Sequence, residues 1–316
     1  MKKLVNASLI VMLYIFTLSC SDDDDSPIVD DEQTTAEYVA NNPEYSSLAT
    51  AMEKTGLTAT LNGNAELTLF APDNEAFAAF LSDNVFNSLD DVPEDLLKQT
   101  LLNHVVVGDN EADDLTTGYI NSEATFSDTD AKLSMYVDTS TGVMLNGVST
   151  VTKADIDTAN GVVHAVDAVI ALPTVVTFVT ADSNFGSLAN ALTLQGQPDF
   201  VSVLSTNLGT DPTPFTVFAP NDKAFSELFI ELGITTLNEI DSATLTAALN
   251  THVVAGENYR EDNLPEGAVS TLGAEIDINA TNNTITDPNG RISSIITTDV
   301  QASNGVVHVI NKVLLP

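Results

Sequence analysis

Four histidines offer the readiest proton and metal chemistry in this chain of 316 residues, and each falls inside a phrase that the chain writes twice. His104 stands in "NHVVVG" (103–108) and His252 in "THVVAG" (251–256). His164 stands in "NGVVHAVDAVIALP" (160–173) and His308 in "NGVVHVINKVLLP" (304–316). Two imidazoles per copy could ligate a transition metal. The spacing argues for another use. His164 alternates with Val162 and Val166, and His308 with Val306 and Ile310, so both belong to apolar strand faces. A histidine there is expected to hydrogen-bond backbone and lock a helix end or strand into the core.

Carboxylates give the next candidate chemistry. Asp155 recurs as Asp299, but Asp157 is replaced by Gln301, so at most one copy could hold a paired-carboxylate acid/base site. Bracing the turn before Asn-Gly is the expected role of Asp155 and Asp299. "DTD" (128–130) and "DID" (155–157) carry hard oxygens, without the spacing of a calcium loop, and read as solvated acidic surface. No nucleophile elbow, no His-Glu-x-x-His and no phosphate-cradling glycine loop occurs. The expectation is a protein without catalytic residues, resident metal or cofactor. Thr158 in "DTA" and Ser242 in "DSA" resemble the short O-glycosylation acceptor of Bacteroidetes-type exported proteins.

Charge narrows the partners. Against 45 acidic residues stand 10 basic ones, a net of −35, and the few lysines and arginines do not cluster. Nucleic-acid binding needs such clusters to displace phosphate counterions and is excluded. The single cysteine, Cys20, closes an N-terminal segment with a basic start and a short apolar run, "MKKLVNASLIVMLYIFTLSC". This resembles a bacterial lipoprotein signal (1–19) that leaves Cys20 as the acylated first residue, although Leu18 sits one place nearer the cysteine than is common. The run "SDDDDSPIVDDEQ" then makes residues 20–33 a solvated acidic tether. It resembles the Ser-Asp-rich export signal of Bacteroidetes-type surface lipoproteins. The localisation implied is the outer membrane, exposed on the cell surface, with membrane contact through the lipid only.

Beyond the tether, elements that could position these side chains come in two sets. "TLFAPDNEAF" (68–77) returns as "TVFAPNDKAF" (216–225), and "YVANNPEYSSLATAMEKTG" (38–56) as "FVTADSNFGSLANALTLQG" (178–196). The spacers change length while the order holds. These are two copies of one domain of about 140 residues, a period too long for a solenoid. We place the copies at 34–173 and 174–316. Each reads as a short β-rich strand ended by Pro72 or Pro220, then Asp73 or Asn221 capping a helix. Phe77, Phe80 and Leu81 share one helical face and are expected in the core. A second helix ends at His104 or His252, with Asp241 as the cap in the later copy. Two Asn-Gly turns per copy place strands on either side. Helices cluster early and strands late in each copy, which predicts an α+β fold.

These phrases, in order and twice over, resemble the fasciclin-like domains, across nearly all of residues 34–316. The resemblance implies a β-sandwich-like core with helices packed on one side. It marks His104, His252, Asn160, His164, Asn304, His308, Pro72 and Pro220 as motif positions, structural in role and candidates for binding. Adhesive animal members carry Tyr before the helix-end histidine; here Asn103 and Thr251 stand there, and no Arg-Gly-Asp occurs. The function implied is a surface adhesion module for an extracellular or cell-surface protein or polysaccharide. The alternatives are an accessory carbohydrate-binding lipoprotein of a glycan-uptake system and, more remotely, a hydrolase. The anchor is directly testable. Cys20→Ala is expected to move the protein from membrane to soluble fractions, and its retention in membranes would remove the lipoprotein reading.

Overall fold

The computed structural model describes residues 33–127 and 129–316; the leader, Cys20, the tether through residue 32 and Asp128 lie outside them. The first copy contains α1 (Thr35–Asn41), α2 (Ser46–Thr55), α3 (Thr58–Leu61), α4 (Asn74–Asp83) and α5 (Glu94–Leu102). Its strands are β1 (Leu67–Pro72), β2 (Val105–Val107), β3 (Gly118–Thr125), β4 (Lys132–Asp138), β5 (Met144–Leu145), β6 (Ser149–Thr158) and β7 (Gly161–Val166). The second copy contains α6 (Val175–Ala181), α7 (Gly186–Thr193), α8 (Phe200–Leu204), α9 (Asp222–Leu232) and α10 (Ser242–Thr251). Its strands are β8 (Phe215–Pro220), β9 (Val253–Ala255), β10 (Gly267–Val269), β11 (Ile276–Asn279), β12 (Thr284–Thr286), β13 (Ile292–Ala302) and β14 (Gly305–Ile310).

Local chemistry sets these boundaries. The Thr34 hydroxyl accepts from Glu37 N–H while the Glu37 carboxylate accepts from Thr34 N–H, a reciprocal cap that starts α1. Pro72 and Pro220 end β1 and β8, and the next side chains, Asp73 and Asn221, accept from Ala76 and Ala224 N–H at 2.8 and 2.9 Å. The second residue of each pair does something else. Asn74 and Asp222 accept from Ser47 and Ser187 N–H at 2.9 and 2.6 Å, tying α4 to α2 and α9 to α7. Of the three residues expected in the core on α4, Phe77 is buried, whereas Phe80 and Leu81 are half-buried at its margin. Only Ala76 and Phe77, near the start of α4, are fully covered, so the outer pair keeps some solvent.

The strands follow the order β2-β1-β7-β6-β5-β4-β3 in the first copy. Read from β9, the second follows the same path, β9-β8-β14-β13-β12-β11-β10. Among the described strands only β1 with β7, and β8 with β14, run parallel, so the first and last strands of each copy lie side by side, second and third from one edge of the sheet. Register shifts between Val151 and Ile156 of β6 mark bulges, and β13 has its own between Ile295 and Val300. Bulges bend a strand, and here they fold the sheet over itself. Phe70, Val106, Val166, Met135, Val137 and Leu145 fill the space between the two layers. Leu67, Leu69 and Ala71 point from the opposite face of β1 into the helices, against Leu48, Phe77 and Leu97. Each copy is thus a mixed α+β domain of folded sheet and one helical layer.

The two copies are packed together. Tyr136 on β4 is only 2% exposed and belongs to the second copy's core, beside Val176, Phe178 and Val300. Tyr119 stacks edge-on with Phe178, ring centres 5.5 Å apart, and its hydroxyl donates to Asp182 at 2.9 Å. Gln301 N–H donates to the Ser134 hydroxyl across the junction at 3.0 Å.

Gly161 shows how closely the parallel pair approaches. Its φ is +137°, and a Cβ there would collide with the Leu67 carbonyl on the parallel neighbour β1. Gly161→Ala is expected to cost about 2–4 kcal/mol of stability in urea denaturation. A change within about 0.5 kcal/mol would refute this account of the β1–β7 approach.

Candidate functional site

The repeated polar residues converge on the interior of each domain. His104, just past the end of α5, and His252, just past α10, are fully buried. Ile170 N–H donates to His104 Nε2 at 2.9 Å, which puts the ring proton on Nδ1, where it is donated to the Thr100 carbonyl at 2.7 Å. His252 repeats the arrangement with Leu314 N–H at 2.9 Å and the Ala248 carbonyl at 2.7 Å. Each imidazole therefore rivets a helix end to the segment that follows the last strand. Burial pushes both pKa values down to about 4, so the rings are neutral at physiological pH.

His164 and His308 sit within β7 and β14, fully buried, stacked on Phe70 and Phe218 with ring centres 5.4 and 5.7 Å apart. Asp155 N–H donates to His164 Nδ1 at 3.2 Å, and His164 Nε2–H donates to the Asn110 carbonyl at 2.9 Å. In the second copy Asp299 N–H donates to His308 Nδ1 at 3.4 Å, and the other nitrogen donates to the Tyr259 carbonyl at 2.7 Å. Burial lowers the His308 pKa. Asp155 and Asp299 direct their contacts to Ala112 and Glu261 rather than bracing the Asn-Gly turn, the role expected from the sequence. They occupy the bulges of β6 and β13 with positive φ, 57° and 59°. Their carboxylates reach across to accept from Ala112 and Glu261 N–H, both at 2.8 Å. A carboxylate in a bulge can reach the facing loop, because the bulge re-aims the side chain.

Asn160 uses all four hydrogen-bonding positions of its amide, and Asn304 three of them. Asn160 Oδ1 accepts from Thr35 N–H and Thr35 Oγ1 at 2.8 and 3.1 Å, while Nδ2 donates to the Leu61 and Gly63 carbonyls at 2.9 and 2.8 Å. Asn304 accepts from Val175 N–H at 2.9 Å and donates to Leu204 and Thr206 carbonyls at 2.8 and 2.9 Å. Asn103 and Thr251, which stand where adhesive animal members carry tyrosine, are equally internal. Asn103 donates to the Ile170 and Ala171 carbonyls, and the Thr251 hydroxyl donates to the Ala247 carbonyl.

Chemically, these sites are occupied by the fold. Every histidine nitrogen faces a backbone partner, so a metal would have to break a buried bond to gain a lone pair. Among the described residues no group of three or more His, Cys, Asp or Glu is placed to hold a metal ion. Asp157 is exposed, whereas Gln301 is buried and bonds Asn258, Arg260 and Gly305. Thr158 is corrected as a glycosylation acceptor. It is 9% exposed and its hydroxyl donates to the Gly161 carbonyl at 2.6 Å, so the folded chain offers no acceptor there. Ser242 is exposed at the start of α10. The junction residues Tyr119, Ser134, Tyr136 and Asp182 went unnoticed in the sequence. Their signal is "LSMYV" in β4, whose residues 133–137 are all buried where a one-sided strand would alternate.

Fold and sites together define a tandem pair of α+β modules held from within by buried polar rivets. A fasciclin domain model matches residues 43–173 and 184–316, and the chain belongs to that family. Pig transforming growth factor-beta-induced protein ig-h3 is 28% identical over 261 residues, 81% of this chain but only 35% of that protein. A fasciclin-like arabinogalactan protein of the fungus Arthroderma benhamiae is 25% identical over 299 residues, 89% of this chain and 66% of that protein. The solved domain pair from the insect cell adhesion molecule fasciclin I matches with a TM-score of 0.52 at 20% identity, covering 85% of this chain and 97% of that one. Fasciclin domains are associated with cell adhesion and surface binding. Among the described residues no helix is long and apolar enough to cross a membrane.

The buried histidines make stability depend on pH with a definite sign. In the unfolded chain His104 and His252 take up protons near the ordinary value of 6.5, but the folded chain resists until about 4. Their neutral-ring contribution is therefore complete above pH 6.5 and is lost as pH falls toward 4, by about 3 kcal/mol per histidine. Denaturant titrations at pH 7 and pH 4.5 are expected to show this loss, and a shallower one in His104→Gln with His252→Gln. An unchanged slope in that double variant would contradict it.

Proposed function

We propose that this chain is a lipoprotein anchored through Cys20 on the outer surface of the cell. There its paired fasciclin domains attach the cell to a protein or polysaccharide outside it. The observation that carries this reading is the packed domain pair, in which both copies of the family motif spend their polar side chains inward. Recognition then falls to the exposed spacers, which differ between the copies. Two sites joined at a fixed separation gain avidity through effective concentration, an advantage for binding that catalysis does not share.

The experiment compares attachment of wild-type and deletion cells to surfaces and to one another, with the purified pair screened on a glycan array. Reduced attachment of the deletion cells, restored by the complete gene, is the expected result. A strong array signal would make the ligand a polysaccharide. Equal attachment, together with turnover of a glycan or ester by the pure protein, would overturn the adhesion reading.

A further inference from the structure

An apolar pocket of about 210 Å³ lies in the first domain between α2, α3, α5, β1 and β2. Its walls include Leu48, Met52, Leu57, Leu61, Leu67 and Leu101. In the second domain the counterparts Leu188, Leu204 and Leu249 surround only about 20 Å³. The difference has a sequence cause. Asn160 grips the Leu61 carbonyl as Asn304 grips that of Leu204, which aligns Leu57 with Phe200. Leu67 pairs with Gly161 as Phe215 pairs with Gly305, which aligns Leu67 with Phe215. Both phenylalanines are buried in the second core. The first domain carries the smaller residue at both positions, and both leucines line the pocket.

Protein interiors are close-packed, and a void of this size weakens the fold unless something fills it. Apolar cavities of about 150 Å³ stay dry and admit an apolar guest as large as benzene. The rim reaches solvent at Val107, which is 64% exposed, and at Ala65. The one charged wall residue is Glu123, whose carboxylate is held by Lys132 at 2.9 Å. Among the described residues that line the pocket no cation is left free, and a chain with a net charge of −35 repels an anionic head group.

We propose that this pocket binds one uncharged apolar molecule, either a fused-ring system whose substituent extends past the open rim at Val107 and Ala65 or an alkyl chain of roughly six to eight carbons. The inference stands independently of the adhesion reading. It is tested on the whole two-domain protein with N-phenyl-1-naphthylamine, a neutral fluorophore that brightens in apolar surroundings. Saturable brightening at one probe per chain is expected, displaced by 1-octanol more effectively than by octanoate. Leu57→Phe and Leu67→Phe, singly and together, install the second domain's own residues. They are expected to weaken probe binding by about tenfold or more while the melting temperature holds or rises. Each single variant is read beside its melting curve, so that a misfolded one leaves the other to decide. Absence of brightening in the wild type would overturn the proposal. So would binding that persists undiminished in a folded phenylalanine variant, or octanoate displacing the probe as well as octanol.

Discussion

One side-chain amide joins the start, middle and end of each domain. Asn160 holds the first residue of α1, the last residue of α3 and the turn between β6 and β7, with all four of its bonds made inside the protein. Buried amides are costly unless every donor and acceptor is paired, so such a residue permits one arrangement of three segments and penalises the others. The histidines extend the same logic. His104 ties α5 to the exit segment, and His164 ties the bulge of β6 to the loop after β2. Apolar burial drives the collapse, but these few polar contacts specify which loops meet. The second copy repeats them with different neighbours, except that Val175 offers Asn304 no hydroxyl to match that of Thr35.

The sequence made the domain legible because these contacts are confined to short phrases. "NGVVHAV" contains the turn, the glycine that lets β7 approach β1, the core valines and the buried histidine. Strand ends at Pro72 and Pro220 and caps at Asp73 and Asn221 are local chemistry, readable from neighbours alone. Relations between distant segments were not. The bulge location of Asp155 depends on the register of β6 against β7, which no local pattern fixes. Thr158 has the neighbours of an exposed acceptor, yet its burial depends on Thr35, more than a hundred residues away. The half-exposure of Phe80 and Leu81 likewise depends on how far other segments cover α4.

The junction between the copies changes the meaning of the repeat. Two domains on a flexible linker would search orientations independently. Here Tyr136 leaves its own domain to complete its neighbour's core, and the Ser303 N–H and hydroxyl both donate to the Pro173 carbonyl at the crossing point, at 2.7 and 2.8 Å. Duplication therefore produced one body with two related but unequal faces. The inequality extends inside, where leucines in one copy replace phenylalanines in the other.

The parallel pairing of first and last strands has a mechanical consequence. Tension entering the chain at Gln33 meets Ala159, whose N–H donates to the Gln33 carbonyl at 2.9 Å, and Asn160 beside it. Pull is thus passed from the entry of the domain directly to the β6–β7 hairpin near its exit. Within the sheet, β1 and β7 would have to slide past each other along six aligned residue pairs, from Leu67 with Gly161 to Pro72 with Val166. Hydrogen bonds loaded lengthwise in this way must yield together, whereas bonds at the end of a hairpin open one by one. A domain wired like this behaves as a clamp placed in series with its load.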